Sequence, residues 1–176
     1  MQKKRNNSSI KNKCKNIKII LTDVDGVLTD GGRYYSDKGE LLKKFHVRDG
    51  MGVNILLRNG IKTIIVTKEN SKITKKWAKE MNVTKVISGS IKKEAELSKI
   101  CREFNVSKKE LAYIGDDVND FNLLQLVGFS AVPNDANENI KKNVDYVCVK
   151  NGGNGAFREI GDMIFKEKFS NKVKMY

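Results

Sequence analysis

Residues 19–30 read Ile-Ile-Leu-Thr-Asp-Val-Asp-Gly-Val-Leu-Thr-Asp, an apolar run that stops at two aspartates separated by one residue. A short apolar run ended by a turn signal is the pattern of a strand buried on both faces of a parallel sheet. Open α/β sheets bind ligands outside the carboxyl ends of such strands, which is where Asp23 and Asp25 would stand. Gly26 suggests that the backbone turns immediately afterwards. A plain strand followed by an Asp-Gly turn accounts for the same residues, so the feature gains weight only in company.

Three further features supply it. Residues 112–120, Ala-Tyr-Ile-Gly-Asp-Asp-Val-Asn-Asp, repeat the pattern of apolar run, glycine and acids. Asp116, Asp117 and Asp120 at a second strand end would join the first pair in an all-oxygen site suited to Mg²⁺. A helix N-terminus, with Asp116 or Asp117 as cap, explains these acids equally well, and both readings can hold together. Thr67 closes the run Ile64-Ile65-Val66, and Lys93 sits in Gly89-Ser90-Ile91-Lys92-Lys93-Glu94. Taken singly, a strand-end threonine and one lysine among many say little.

In this order the four elements resemble the haloacid dehalogenase superfamily of phosphotransferases, with motifs D-x-D-x-[VT]-x-[TS], Thr/Ser, Lys and G-D-D-x-x-D. The likeness narrows further. Asp25 to Gly31, Gly39-Glu40, Phe45, Val47-Arg48-Asp49-Gly50-Met51-Gly52 and Gly152 to Glu159 resemble the 3-deoxy-octulosonate 8-phosphate phosphatase family, over about Ile17 to Phe165. The resemblance implies a phosphoric monoester hydrolase of carbohydrate and lipopolysaccharide biosynthesis. Asp23 would be the nucleophile, and Asp25 the acid and then the base. Mg²⁺ would be held by Asp23, the Asp25 backbone carbonyl and Asp116. Lys93 would compensate charge, and Thr67 with backbone amides after Asp23 would bind phosphoryl oxygens. Asp117 and Asp120 would orient Lys93 or metal-bound water. The substrate side would include Asp25, His46, Val47, Arg48, Asp49, Gly50, Glu69 and Lys93.

Such chemistry suits the residues. Phosphate monoesters require enhancements of up to ~10²¹-fold, and a covalent aspartyl phosphate divides that barrier. A carboxylate attacking a phosphate needs its repulsion cancelled, hence the cation and the lysine.

Composition limits the rest. With 176 residues the chain can bury a core as one domain. No stretch reaches the ~20 apolar residues of a membrane span. Residues 1–15 lack the apolar segment of a secretory signal. Three scattered cysteines, Cys14, Cys101 and Cys148, fit reduced thiols of a cytoplasmic protein better than a disulfide framework or a zinc site. The net charge of +13 would suit a nucleic-acid binder, but 28 of the 34 cations are lysines. Arginine is the usual phosphate and base reader, and no aromatic-interleaved basic motif occurs, so a nucleic-acid partner is not expected. A basic surface still attracts an anionic sugar phosphate.

Along the chain, residues 1–16 read as a flexible basic tail, 17–168 as the phosphatase domain and 169–176 as a second tail. Strands are expected at 17–22, 61–67, 85–87, 111–115, 129–132 and 146–149. Helices are expected at 50–58, 71–81, 92–104, 121–127, 138–143 and 156–168, with a hairpin at 32–46 around Ser36-Asp37-Lys38-Gly39. Repeated βα units imply a Rossmann-like, doubly wound parallel sheet. The 42 positions from Asp25 to Thr67 hold a hairpin and a helix but no cap domain. Another subunit should then close the site, with the hairpin and an ordered Gly152 to Gly155 loop as interface elements; the resembled family is tetrameric.

Substrate identity is less sharply marked. The resembled phosphatases carry arginines at the positions of Asn54, Glu69 and Trp77. Thr67-Lys68-Glu69 here looks more like relatives acting on nine-carbon ulosonate 9-phosphates. His46 stands where the family has asparagine. A catalytically silent oligomerisation module of the same fold, associated with sugar-nucleotide synthesis, is the contrasting reading, and retention of Asp23, Asp25, Lys93 and Asp116 argues against it.

Overall fold

A computed structural model describes residues 7–169. Six strands form one parallel sheet: β1 (Ile19–Thr22), β4 (Lys62–Val66), β5 (Lys85–Ile87), β6 (Leu111–Ile114), β7 (Phe129–Val132) and β8 (Tyr146–Val147), ordered β5-β4-β1-β6-β7-β8. Strand residues alternate between faces, and the core divides accordingly. Ile20, Ile65 and Ala112 pack with Val53, Ala78, Phe157 and Ile160 of α2 (Val47–Arg58), α3 (Lys72–Glu80) and α7 (Ala156–Phe169). Ile19, Leu21, Ile64 and Tyr113 pack on the other face with Leu97, Ile100, Leu123 and Ile140 of α4 (Leu97–Phe104), α5 (Phe121–Leu126) and α6 (Glu138–Lys141). Helices on both faces explain why β1, β6 and β7 are apolar or small throughout, since every position is buried.

The chain leaves β1 toward β4 and β5, then crosses back to β6 on the other side of β1. The carboxyl end of β1 is therefore the switch point of the sheet, where a crevice must open. Between β1 and α2 lies the expected hairpin, β2 (Tyr34–Ser36) with β3 (Gly39–Leu42), antiparallel and irregular between Tyr34 and Tyr35. A bridge from Thr29 to Phe45 closes its base, and Phe45 stacks on Trp77 of α3 at 4.5 Å between ring centroids.

Three expectations are corrected. Residues 7–16 of the expected tail are a helix, α1 (Asn7–Asn16), packed against α7. Cys14 and Ile17 are fully buried in the core, Ile10 packs against it, and Lys13 pairs with Asp145 at 2.6 Å. Ile10, Cys14 and Ile17 recur at the spacing of one helix face, but interleaved lysines mask them. The remainder of that tail, residues 1–6, and residues 170–176 lie outside the described residues. The expected helix 92–104 is a 3₁₀ turn (Lys93–Glu96) running into α4. Helix α2 starts three residues earlier than expected, at Val47, because His46 caps it through its ring Nδ1, which accepts from the Arg48 amide at 3.3 Å.

Candidate active site

Parallel pairing brings three strand ends together. Thr22 lies beside Ile65 of β4 and Ile114 of β6, so Asp23, Thr67 and Asp116 leave the sheet at the same edge. The Asp23 amide still donates to Ile114 O at 2.9 Å. The chain then turns at Gly26, whose φ is +80° and where a Cβ would overlap the Asp116 carboxylate. Only glycine lets the loop after Asp25 lie against Asp116.

Lys93 reaches this edge from its 3₁₀ turn and is 1 % exposed. Its ammonium lies 2.7 Å from Asp23 Oδ2 and 2.6 Å from Asp120 Oδ1. Asp120 also takes the Tyr113 hydroxyl at 2.5 Å on Oδ1 and the Asp116 amide at 2.9 Å on Oδ2. Asp120 thus binds the lysine, as expected. Asp117 is the cap of the turn Val118–Asp120 and accepts from Asn137 Nδ2 at 3.0 Å.

Asp23, Asp116 and Asp120 each offer a carboxylate oxygen within 4.8 Å of the others. Three carboxylates and one ammonium leave negative charge uncompensated. Burial and the Asp23 and Asp120 charges push Asp116 up to about 8. Burial and Asp120 push Asp23 up to about 6, against the pull of Lys93. Burial works against the Lys93 ammonium, but Asp23 and Asp120 outweigh it and hold its pKa above the ordinary value. With Asp120 engaged by Lys93 and Tyr113, Asp23 and Asp116 remain as hard oxygen donors, the chemistry that Mg²⁺ prefers.

Thr67 is 2 % exposed at the end of β4; its hydroxyl accepts from the Glu69 amide at 3.2 Å, and its carbonyl takes the Ser90 amide at 3.0 Å. Asp25 is half-buried, and its Oδ1 is paired with the Lys43 ammonium from the hairpin. Lys43 was not legible as a site residue: it is one of 28 lysines, and only the folded hairpin shows its side chain to be wholly buried. Glu69 pairs with Arg33 at 3.2 Å, and Arg33 lies 3.4 Å from Glu40. Of the positions where the resembled phosphatases carry arginines, Trp77 stacks on Phe45 and Asn54 bonds Gly50 O at 3.1 Å and takes the Asn82 amide group at 2.8 Å.

Among the described residues no hydrogen bond or ion pair joins residues 46–50 to Asp23, Asp25, Lys93 or Asp116. Val47 is 82 % exposed and Arg48 is exposed. Asp49 and Gly50 are buried. Asp49 accepts the Arg158 amide at 2.8 Å at the start of α7, and a Cβ on Gly50 would meet Met81. They fix where α2 sits. The Gly152–Gly155 segment packs against its own chain: Gly153 N donates to Val27 O at 2.9 Å, and a Cβ at Gly152 or Gly153 would overlap the backbone of Gly26, Thr29 or Asp30.

The comparisons agree with this geometry. The family model for haloacid dehalogenase-like hydrolases matches residues 58–160. The 3-deoxy-D-manno-octulosonate 8-phosphate phosphatase of Haemophilus influenzae is 37% identical over 161 residues, 92% of this chain and 89% of that protein. The Moraxella catarrhalis phosphatase of the same name, solved with a magnesium ion, a phosphate ion and a KDO molecule, superposes with a TM-score of 0.89 at 34% identity, covering 93% of this chain and 94% of that one. The cobalt-bound Haemophilus influenzae structure gives 0.86 at 35%, covering 91% and 96%.

Proposed function

Because the chain belongs to the haloacid dehalogenase-like hydrolases, and within them to the 3-deoxy-D-manno-octulosonate 8-phosphate phosphatase family, we propose that it hydrolyses 3-deoxy-D-manno-octulosonate 8-phosphate with Mg²⁺. The carrying observation is the buried cluster in which one ammonium bridges Asp23 and Asp120 while Asp116 stands within metal-sharing distance.

A carboxylate oxygen of Asp23 attacks phosphorus as the ester P–O bond breaks. The departing oxygen keeps the electron pair and takes a proton from Asp25. Water then attacks the phosphoryl group and gives Asp25 its proton. The bond from Asp23 to phosphorus breaks, and free phosphate leaves. Lys93 lowers the repulsion between carboxylate and phosphate, and Thr67 at the neighbouring strand end holds a phosphoryl oxygen. Asp23, the Asp25 carbonyl and Asp116 would hold Mg²⁺, which supplies charge neutralisation and a template for the phosphate oxygens.

The nine-carbon alternative is favoured by one feature, the Glu69–Arg33 pair, which puts a carboxylate where the family has an arginine. Arg33 keeps a cation beside it, and for that reason we retain the eight-carbon substrate. Phosphate release from octulosonate 8-phosphate, nonulosonate 9-phosphates and glucose 6-phosphate, with and without Mg²⁺, tests the reading: kcat/KM highest for the eight-carbon ester supports it, and a preference for a nine-carbon ester overturns the substrate.

The assembly follows from closure. The hairpin exposes Tyr34, Tyr35, Leu41 and Leu42, each more than half accessible, and two strands alone are marginal in water. We assign them to contacts between copies in a homotetramer. The same reading assigns the chain to the cytoplasm, where its three free cysteines would stay reduced. No helix among the described residues is long and apolar enough to cross a membrane.

A further inference from the structure

Lys43, on the hairpin, places its charged head against Asp25. Its side chain is 0 % exposed, and its ammonium pairs with Asp25 Oδ1 and lies 3.4 Å from Glu40 Oε1. Burying an ammonium costs several kcal/mol unless it is well paired, so its placement between two carboxylates is specific. The other Asp25 oxygen, Oδ2, is buried and has no hydrogen-bond partner. Glu40 is itself anchored, accepting the Ser71 hydroxyl at 2.7 Å at the start of α3.

We propose that Lys43 is a positioning residue for the acid and base step: by clamping Asp25 Oδ1 it fixes the carboxyl group so that Oδ2 alone meets the leaving oxygen and then the water. This rests on the phosphoaspartate reading above. Proton transfer demands a donor within hydrogen-bond reach of the departing oxygen. A carboxyl group free to rotate about χ2 would divide its time between orientations. Glu40 gives the same ammonium a second carboxylate partner. Thr29 pairs with Phe45 across the hairpin base, which ties the loop carrying Asp25 to the segment carrying Lys43.

The alternative role, a latch that merely holds the hairpin down, is separated by the leaving group. An alkoxide needs the proton; p-nitrophenolate, a weak base, hardly does. The parameter kcat/KM covers steps only up to leaving-group loss. For the Mg²⁺-loaded enzyme, Lys43→Met is expected to lower kcat/KM for octulosonate 8-phosphate about thirtyfold, part of the ~10²–10⁴ that positioned proton transfer supplies, and for p-nitrophenyl phosphate under about threefold. Lys43→Arg should bring the ratio of the two back toward wild type. Both esters are read on one preparation, so any unfolded fraction cancels in the ratio. Equal losses on both esters, or none on either, would overturn the proposal. If Asp23→Asn still turned over p-nitrophenyl phosphate, the phosphoaspartate reading would fall instead.

Discussion

The Lys93 ammonium and the Asp120 carboxylate lie 2.6 Å apart with neither side chain more than 1 % exposed. Both Asp120 oxygens are engaged, Oδ1 by Lys93 and Tyr113 and Oδ2 by the Asp116 and Asp117 amides. This carboxylate holds the lysine against Asp23 while leaving Asp23 able to react. Asp120→Asn keeps the shape but removes that counter-charge. We expect kcat to fall about ten- to a hundredfold and stability to fall by about 3 kcal/mol, as when a buried pair is broken. Steady-state kinetics and urea unfolding check it; wild-type values in both would assign Asp120 no part in the site.

The loop at Gly152 and Gly153 lies on the backbone that carries Asp25. Gly153 has φ +60° and no room for a Cβ beside Thr29 and Asp30. Gly153→Ala should therefore push the Val24–Asp30 loop aside, with a stability loss of about 1–3 kcal/mol and a larger fractional loss of kcat than of thermal stability. Gly155→Ala, where nothing lies within contact range although φ is +96°, should strain its own turn without displacing that loop. Equal activity losses in the two variants would refute this.

Much of this was legible in the sequence, for a physical reason. β1, β4, β6 and β7 are buried on both faces, so their apolar runs carry no competing signal, and the acids that follow them stand out. Asp23, Asp25, Thr67, Lys93 and Asp116 all occupy such ends or the turn that faces them. Lys43 was hidden because its burial depends on how a hairpin folds over a distant strand end, and no local pattern encodes that. Helix α1 was hidden by lysines between Ile10, Cys14 and Ile17. The anchoring of Asp49 was hidden because its partner, the Arg158 amide, lies 109 residues away.

Asp49 gives a pH test. Burial pushes its pKa from 3.8 up to about 6, partly offset by the Arg158 and Gly155 amides. The native state then binds this proton more tightly than the unfolded chain does. The stability contributed is present below about pH 4 and is lost as pH rises through about 6, up to about 3 kcal/mol at 1.36 kcal/mol per pKa unit. The difference in unfolding free energy between wild type and Asp49→Asn should change across that window and be flat above it. A difference independent of pH from 4 to 7 would contradict the buried, ionised carboxyl.

Metal binding should compete with a proton. Asp116, raised to about 8 by burial and by the Asp23 and Asp120 charges, is largely protonated at pH 7 without metal and must ionise to coordinate Mg²⁺. Mg²⁺ affinity should weaken as pH falls below about 8, by up to about tenfold per unit for one proton. Titration calorimetry in buffers of different ionisation enthalpy should show proton release at pH 7. Chelator should stop turnover and Mg²⁺ restore it. PH-independent binding, or activity in excess chelator, would contradict the Asp23 and Asp116 site.

The central claim is that Asp23 is the nucleophile of a phosphomonoester hydrolase, and turnover of octulosonate 8-phosphate by Asp23→Asn at saturating Mg²⁺ tests it most directly. The account expects kcat below about a thousandth of wild type, a barrier rise of at least ~4 kcal/mol, with the fold retained by circular dichroism. A folded Asp23→Asn enzyme that keeps more than about a hundredth of wild-type kcat, a rise under ~2.7 kcal/mol, would contradict it.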